Sequence, residues 1–336
     1  MAQEPVIKIT SLDVARRAGV SQSAVSRVFT PGASASKRTV EKVRQAAQEM
    51  GYRPNVLARA MITGKSRIIG LVVAYLDNQF YPLAVERLSV ALQKQGYHIL
   101  VFMAPTSNSD VEQVVQEILD YQVDGIVLAS VLMSSPLAAR CDDLGIPVVL
   151  FNRTQPDARL ASVSSNNVEG GRQIAHHLVT GGAQRIGYIA GFEGASTQID
   201  REAGFLAGLA ELGTTIKYRG VGHFDYDGAC KAARDMFAGP DRPDAVFICN
   251  DHMAFAVMDV LRSQLSLDVP GDVAIAGFDD VPIAAWPAYD LTSYRQPLDA
   301  MVAQTVDTLM ERINDETVVP RHHVLDGRLV IRSSTR

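Results

Sequence analysis

The sequence predicts a chain of two kinds of fold. An N-terminal all-α helix-turn-helix head with a hinge helix precedes an α/β two-lobed body built on parallel, doubly wound sheets. Three observations predict this. Thr10 to Phe29 has the spacing of two short helices around a tight turn. Charge is unevenly distributed, with 12 Lys/Arg against 4 Asp/Glu in residues 1–67 and 20 against 33 in the rest. From Arg67 onward, short apolar runs alternate with amphipathic helical segments.

In the first helix of the head, Leu12, Ala15 and Ala18 form the expected apolar face. Gly19 supplies the positive φ of the turn, Val20 points back to the core, and Ser21 caps the second helix. There Val25 and Val28 face inward. Gln22 and Ser26 are four apart, as are Ser23 and Arg27, so these four share the outer surface. Short polar groups with an arginine suit the floor of a DNA major groove. Arg bonds guanine edges in pairs, Gln does the same to adenine, and Ser serves either. Thr30–Ala35 reads as a loop. Ser36 caps a third helix whose Val40, Val43, Ala47 and Met50 lie at helical spacing, ended by Gly51. Lys37, Arg38, Lys42 and Arg44 along it suit phosphate contacts, which position the head without reading sequence. A basic head on an acidic body is the charge layout of a DNA-binding module joined to something else. The head spans residues 1–53. Residues 54–66 form a hinge helix and linker, too short to be stable alone and therefore expected to pair with a second copy.

The body, residues 67–336, alternates strand and helix. The apolar runs are I-I-G-L-V-V-A, H-I-L-V-F-M, G-I-V-L-A, P-V-V-L-F, R-I-G-Y-I-A, A-V-F-I-C and V-A-I-A-G-F. Between them lie helices over 81–95, 110–121, 136–144, 168–180, 197–212, 226–238 and 251–265. A long helix over 298–314 and closing strand material follow. Two successive doubly wound lobes place a ligand site at the carboxyl ends of their strands, in the cleft between them. The polar groups at those ends are Asp77–Tyr81, Asn152 and Arg153, Asn250 and Asp251, and Asp279 and Asp280. Asp251 and Asp280 read best as caps of the helices after them, which leaves Asn250 and Asp279 for a ligand.

Other chemistry is weakly signalled. Cys141, Cys230 and Cys249 lack metal-ligand spacing and read as buried reduced thiols. The pairs His176–His177 and His322–His323 are adjacent, whereas two ligands on one helix face need spacing of three or four. Gly220–His223 is no dinucleotide fingerprint, and neither a G-x-S-x-G elbow nor a P-loop is present. No metal and no cofactor is expected. No apolar run reaches membrane-spanning length and the N-terminus lacks a signal peptide's apolar core, so a cytoplasmic protein is expected.

The stretches D-V-A-R-R-A-G-V-S, A-V-S-R-V, G-Y-R-P-N and L-A-R-A-M resemble the head and hinge of the lactose/galactose repressor family of bacterial transcription regulators. The body resembles that family's periplasmic-binding-protein-like core through D-G-I-V-L, G-I-P-V-V-L-F-N-R, N-V-E-G-G-R, R-I-G-Y-I-A-G, N-D-H-M-A, V-A-I-A-G-F-D-D-V-P and R-Q-P-L. The resemblance implies DNA contacts by Thr10, Ser11, Gln22, Ser23, Ser26 and Arg27. In the hinge it implies minor-groove contacts by Asn55, Ala58 and Met61. Met61 stands where the family usually has a leucine wedged into the central base step, and methionine is a similar apolar wedge, long and flexible. For the effector, the resemblance implies Arg201, Asn250, Asp279 and Gln296. Asn152 joins them as a strand-end polar group, with Phe80, Tyr81 and Phe224 as aromatic walls. The implied function is a repressor that binds a near-palindromic operator as a homodimer. A small molecule would control it through hinge-helix order. The effector is a sugar or sugar derivative by family, with a nucleobase or organic acid as alternatives. With no heptad tail after the last strand, a dimer without helical tetramerisation is expected. The competing readings are a solute-binding protein, which the basic head opposes, and a doubly wound sugar-metabolising enzyme, for which no nucleophile, base or phosphate cradle stands out.

Overall fold

The computed structural model describes residues 9–30, 33–53, 65–104 and 108–335. The chain divides into a unit of residues 1–67 and another of 68–336. The expected hinge residues Asn55, Ala58 and Met61 lie outside the described residues.

In the head, α1 (Ser11–Ala18), α2 (Gln22–Phe29) and α3 (Lys37–Met50) surround a small core of Val14, Ala15, Val25, Val43, Ala46 and Ala47. Thr10 and Asp13 close a reciprocal capping box at the start of α1. Gly19 ends the helix at φ 66°, where a side chain would be strained. Ser21 caps α2 and Ser36 caps α3 through their hydroxyls. One expectation is corrected: Leu12 is 44% exposed. On a helix advancing 100° per residue, Leu12 lies about 200° from Val14, so the face made by Val14, Ala15 and Ala18 turns Leu12 outward.

The body has two lobes. In the first, β1 (Ile68–Val73), α4 (Phe80–Lys94), β2 (His98–Met103), α5 (Asn108–Asp120), β3 (Gly125–Ala129), α6 (Ser135–Asp143), β4 (Val148–Phe151) and β5 (Ala161–Ser165) follow one another. The second runs through α7 (Asn167–Thr180), β6 (Ile186–Ala190), α8 (Ser196–Glu211), β7 (Tyr218–Val221), α9 (Tyr226–Phe237), β8 (Ala245–Ile248), α10 (Asp251–Ser263), β9 (Ala274–Asp279) and β10 (Thr292–Arg295). The chain then returns to the first lobe with α11 (Leu298–Asn314) and β11 (His322–Leu325), and ends in the second with β12 (Arg328–Val330). The sheet orders are β11-β5-β4-β3-β1-β2 and β12-β10-β9-β8-β6-β7. All pairings are parallel except β12 against β10. Three crossovers therefore join the lobes, and every parallel strand ends at the cleft they flank.

Strands β5, β7 and β10 carry no apolar run, and the sequence pattern did not reveal them. β5 reads A-S-V-S-S, yet all five residues are buried. Its Ser162 bonds His322 Nδ1 of the neighbouring β11 at 2.8 Å. In β10, Thr292 bonds the Arg332 carbonyl and the Thr335 hydroxyl. Small hydroxyl residues line this core where they find such partners, although the buried Ser165 Oγ has none among the described residues.

Helices α7 and α8 lie in closest contact through glycines. A Cβ on Gly204 would stand 1.9 Å from the Val168 carbonyl oxygen, and one on Gly171 2.2 Å from that of Arg201. This approach fixes where α8 presents Arg201. We expect Gly204→Ala to destabilise the body by about 3 kcal/mol, the upper range for overpacking, measured by urea unfolding. An unchanged midpoint would show that the helices can separate freely.

Candidate functional site

The cleft side chains stand at strand ends. Asn152 and Arg153 follow β4, Phe224 follows β7, Asn250 follows β8, and Asp279 ends β9. With Tyr75, Asn78, Tyr81, Thr197 and Arg201 they line a narrow polar chamber of about 220 Å³, the space open to solvent included. Several hold positive-φ backbone conformations that non-glycine residues seldom adopt: Asn152 (58°), Phe224 (62°) and Asp279 (122°). Such strain persists where surrounding structure over-determines it, and it gathers at functional sites.

Arg201 anchors the chamber. It is 2% exposed. Its Nε donates to Asn167 Oδ1 at 2.9 Å and its Nη1 to the Cys249 carbonyl at 2.6 Å. Its Nη2 lies 3.4 Å from Asp279 Oδ1, and its guanidinium carbon is 3.7 Å from the Phe278 ring centre. Gln296 Nε2 donates to the same Asp279 oxygen at 2.7 Å. Burial raises the Asp279 pKa, opposed first by the Arg201 charge. Across the cleft, Arg153 reaches from the first lobe to Thr197 Oγ1 at 3.2 Å and sits 5.7 Å over the Phe224 ring. Six buried side-chain atoms have no hydrogen-bond partner among the described residues, and three of them belong to residues at the strand ends of the cleft: Asn152 Oδ1, Arg153 Nε and Gln296 Oε1.

The structure brings together Tyr81, Asn152, Arg201, Phe224, Asn250 and Asp279 around the chamber, with Gln296 joined through Asp279. Phe80 is corrected: it is buried in the first lobe, stacked on Phe151 at 6.3 Å between centroids. Tyr75 takes the wall position, two residues beyond β1, packed edge-on against Tyr81 at 5.5 Å. Burial pushes the Tyr75 pKa up, which keeps its hydroxyl neutral. Tyr75 and Thr197 escaped sequence reading. Tyr75 was discoverable as the next aromatic after the β1 run; Thr197, opening a helix, carried no signal.

The capping assignment is also corrected. Asn250 is the N-cap of α10, its Oδ1 accepting from the Met253 N–H at 3.0 Å. Asp251 instead accepts from Val281 N–H (2.9 Å) and the Ser293 hydroxyl (2.6 Å), and Asp280 pairs with Arg295 and Arg332. Both aspartates are braces between strands rather than caps. Gly277 makes room for the first, since a Cβ there would meet Asp251 Oδ1 at 2.3 Å. The three cysteines are buried and unbridged, and burial raises each thiol's pKa.

In the head, Gln22, Ser23 and Arg27 are exposed on α2 and Ser26 is half-buried. Gln22 Nε2 donates to Ser11 Oγ at 2.9 Å, which ties α2 to the start of α1. The Thr10 hydroxyl is engaged by Asp13, so capping already occupies it.

A head of this kind joined to a two-lobed body with a closed polar cleft defines a ligand-binding protein with a helix-turn-helix module. Residues 10–55 match the model for bacterial regulatory proteins of the lacI family, and residues 175–335 that for a periplasmic binding protein-like domain. The HTH-type transcriptional regulator CelR of Thermobifida fusca is 32% identical over 335 residues, 96% of each chain. The HTH-type transcriptional repressor PurR of Vibrio vulnificus (strain CMCP6) is 29% identical, covering 97% of this chain and 98% of the relative. A solved CelR–cellobiose complex is 31% identical with a TM-score of 0.73, covering 97% of this chain and 99% of that one. The chain belongs to the lacI family of bacterial regulatory proteins. It is a DNA-binding transcription regulator, as its lacI-family relatives are. Among the described residues no helix is long and apolar enough to cross a membrane.

Burial, then the charge of Asp279, raises the Asp251 pKa. An acid raised on folding contributes stability that is complete below the unfolded carboxylate value near ~4 and is lost as pH rises through the raised value. The melting temperature should therefore fall as pH rises through that window. Asp251→Asn, which keeps an acceptor for Val281 and offers its amide to Ser293, should flatten the slope. Equal slopes in the two proteins would exclude this origin.

Proposed function

We propose that the chain is a repressor that binds a near-palindromic operator as a homodimer and is controlled by a neutral, hydroxyl-rich effector, a sugar or sugar derivative, held in the chamber. The observation that carries this is the set of unpartnered buried atoms. Two are acceptors, Asn152 Oδ1 and Gln296 Oε1, and one is a donor, Arg153 Nε. The Gln296 orientation follows from Asp279, which demands its Nε2. An anion would satisfy the donor and be repelled by both acceptors, whereas a hydroxyl donates and accepts. Adjacent hydroxyls therefore meet the whole set. The relative solved as a CelR–cellobiose complex is named for a sugar ligand. Ser11, Gln22, Ser23, Ser26 and Arg27 provide the base-reading face. The hinge, with Asn55, Ala58 and Met61, transmits the body's state to the heads by pairing or melting between the two copies.

Selection of bound duplexes from a random pool by the full-length protein, with and without candidate sugars, tests the reading. A recovered palindrome of about 14–20 base pairs, from one groove-reading helix per half-site, supports it. Failure to enrich any motif under either condition would overturn it. On the recovered operator, Arg27→Ala should weaken binding about 10- to 100-fold, the range of one paired base contact. Affinity should also fall steeply with salt through counterion release. For the effector, Asn152→Ala should weaken binding about tenfold by calorimetry; an unchanged Kd would remove Asn152 from the site.

A further inference from the structure

Two residues that each open a helix of the head are joined by a side-chain bond. Ser11 begins α1, Gln22 begins α2, and Gln22 Nε2 donates to Ser11 Oγ at 2.9 Å. Both ends of that bond are held in place. The capping box of Thr10 and Asp13 sets the first turn of α1, and the Arg17–Glu49 ion pair at 3.0 Å fastens α1 to α3. Ser21 starts α2 by accepting the Ala24 N–H at 3.2 Å, and its hydroxyl also meets that of Ser23 at 2.9 Å.

A side-chain amide has two N–H donors and one carbonyl acceptor. In the major groove guanine shows two acceptors, O6 and N7. Adenine shows one acceptor, N7, and one donor, its N6 amino group. With one N–H spent on Ser11, Gln22 keeps one donor and one acceptor, which is the complement of adenine. Turned to guanine, its carbonyl would face O6, acceptor against acceptor. We infer that Ser11 is a positioning residue for Gln22: it takes one amide hydrogen and so commits the side chain to an adenine in each operator half-site. This rests on the proposed operator reading and specifies one base of it. Ser11 then acts on sequence through Gln22 rather than by a base contact of its own. A long side chain ordered before it meets DNA also loses less freedom on binding.

The test starts from the operator that the full-length protein selects out of a random duplex pool. Titration of Gln22→Ala against single-base variants of that operator identifies the position Gln22 reads, as the one whose preference disappears. Low salt keeps weakened variants on the DNA through their phosphate contacts. At that position the wild type should prefer adenine to guanine by at least about tenfold, the lower range of one paired base contact. The preference is a ratio of two affinities of one protein, so any loss of folded protein cancels. Ser11→Ala should bring the ratio below about threefold, on the same scale, and leave preferences at the other positions unmoved. Ser11→Thr, which keeps the hydroxyl, should retain it. With Gln22→Ala already present, adding Ser11→Ala should change nothing further in the ratio. Three results would overturn the inference: another base preferred at that position, an unchanged ratio in Ser11→Ala, or a shift by Ser11→Ala that persists without Gln22. So would base preferences in Gln22→Ala identical to those of the wild type, which would leave the operator reading standing on Arg27. A pool that yields no motif, with or without candidate sugars, would overturn that reading too.

Discussion

A guanidinium that is nearly solvent-free must be paired, and the body is arranged around that demand. Taking a charge out of water costs several kcal/mol unless partners restore what water gave. Arg201 obtains them from α7, from the end of β8 and from the end of β9. Asn167 stands immediately past the first crossover, so the arginine ties the entry of the second lobe to the centre of its sheet. Asp279 is brought in turn, and Gln296 with it, at the second crossover. The close packing of α7 on α8 serves the same end, because any side chain on Gly171 or Gly204 would push Arg201 off its partners.

The same constraint shapes the cleft's electrostatics. Arg201 and Asp279 satisfy one another, so they present little net charge to a ligand. What the chamber offers is the pattern of donors and acceptors left over. Asn152, Arg153 and Gln296 come from both sides of the cleft, and each is buried before any ligand enters. A buried group without a partner costs about 1–3 kcal/mol. Closure of the lobes is therefore incomplete in energy until a molecule with matching hydroxyls fills the space. This supplies a differential affinity between open and closed bodies, which any ligand-driven shift requires.

Much of this was legible in the sequence. The alternation of apolar runs and amphipathic helices located most strands and every described α-helix of the body, though not the short 3-10 turn Pro282–Ala285. The head's caps were readable at Ser21, Ser36, Gly19 and Gly51 because single-residue stereochemistry decides them. What failed were features set by tertiary partners. β5 and β10 hide because serine and threonine are neutral in any apolar pattern and are taken into the core by tertiary partners such as His322 and Arg332. Tyr75 stands in the wall place expected of Phe80 because spacing after a strand does not say which aromatic faces the cleft. Asn250, expected to meet a ligand, holds the capping place expected of Asp251 because both residue types cap helices. The choice was made by Ser293 and Val281, some thirty to forty residues away in sequence.

The three crossovers explain why a site so dependent on both lobes can also move. Each lobe closes its own sheet with a strand contributed from the chain's last residues, β11 in one and β12 in the other. Rotation of one lobe against the other therefore bends three short linkers and leaves both sheets whole. Among the described residues, the contacts that such rotation would break include Arg153 to Thr197 and over the Phe224 ring, the Thr154 N–H to Ser196 Oγ, Asn78 to Asp279, and His252 beside Asp77. Each hydrogen bond among them is exchanged for one with water, worth about 1 kcal/mol net. A ligand that adds several bonds across the same gap outweighs them. The body is thereby poised near balance between two arrangements, which is the condition under which a small molecule can decide between them.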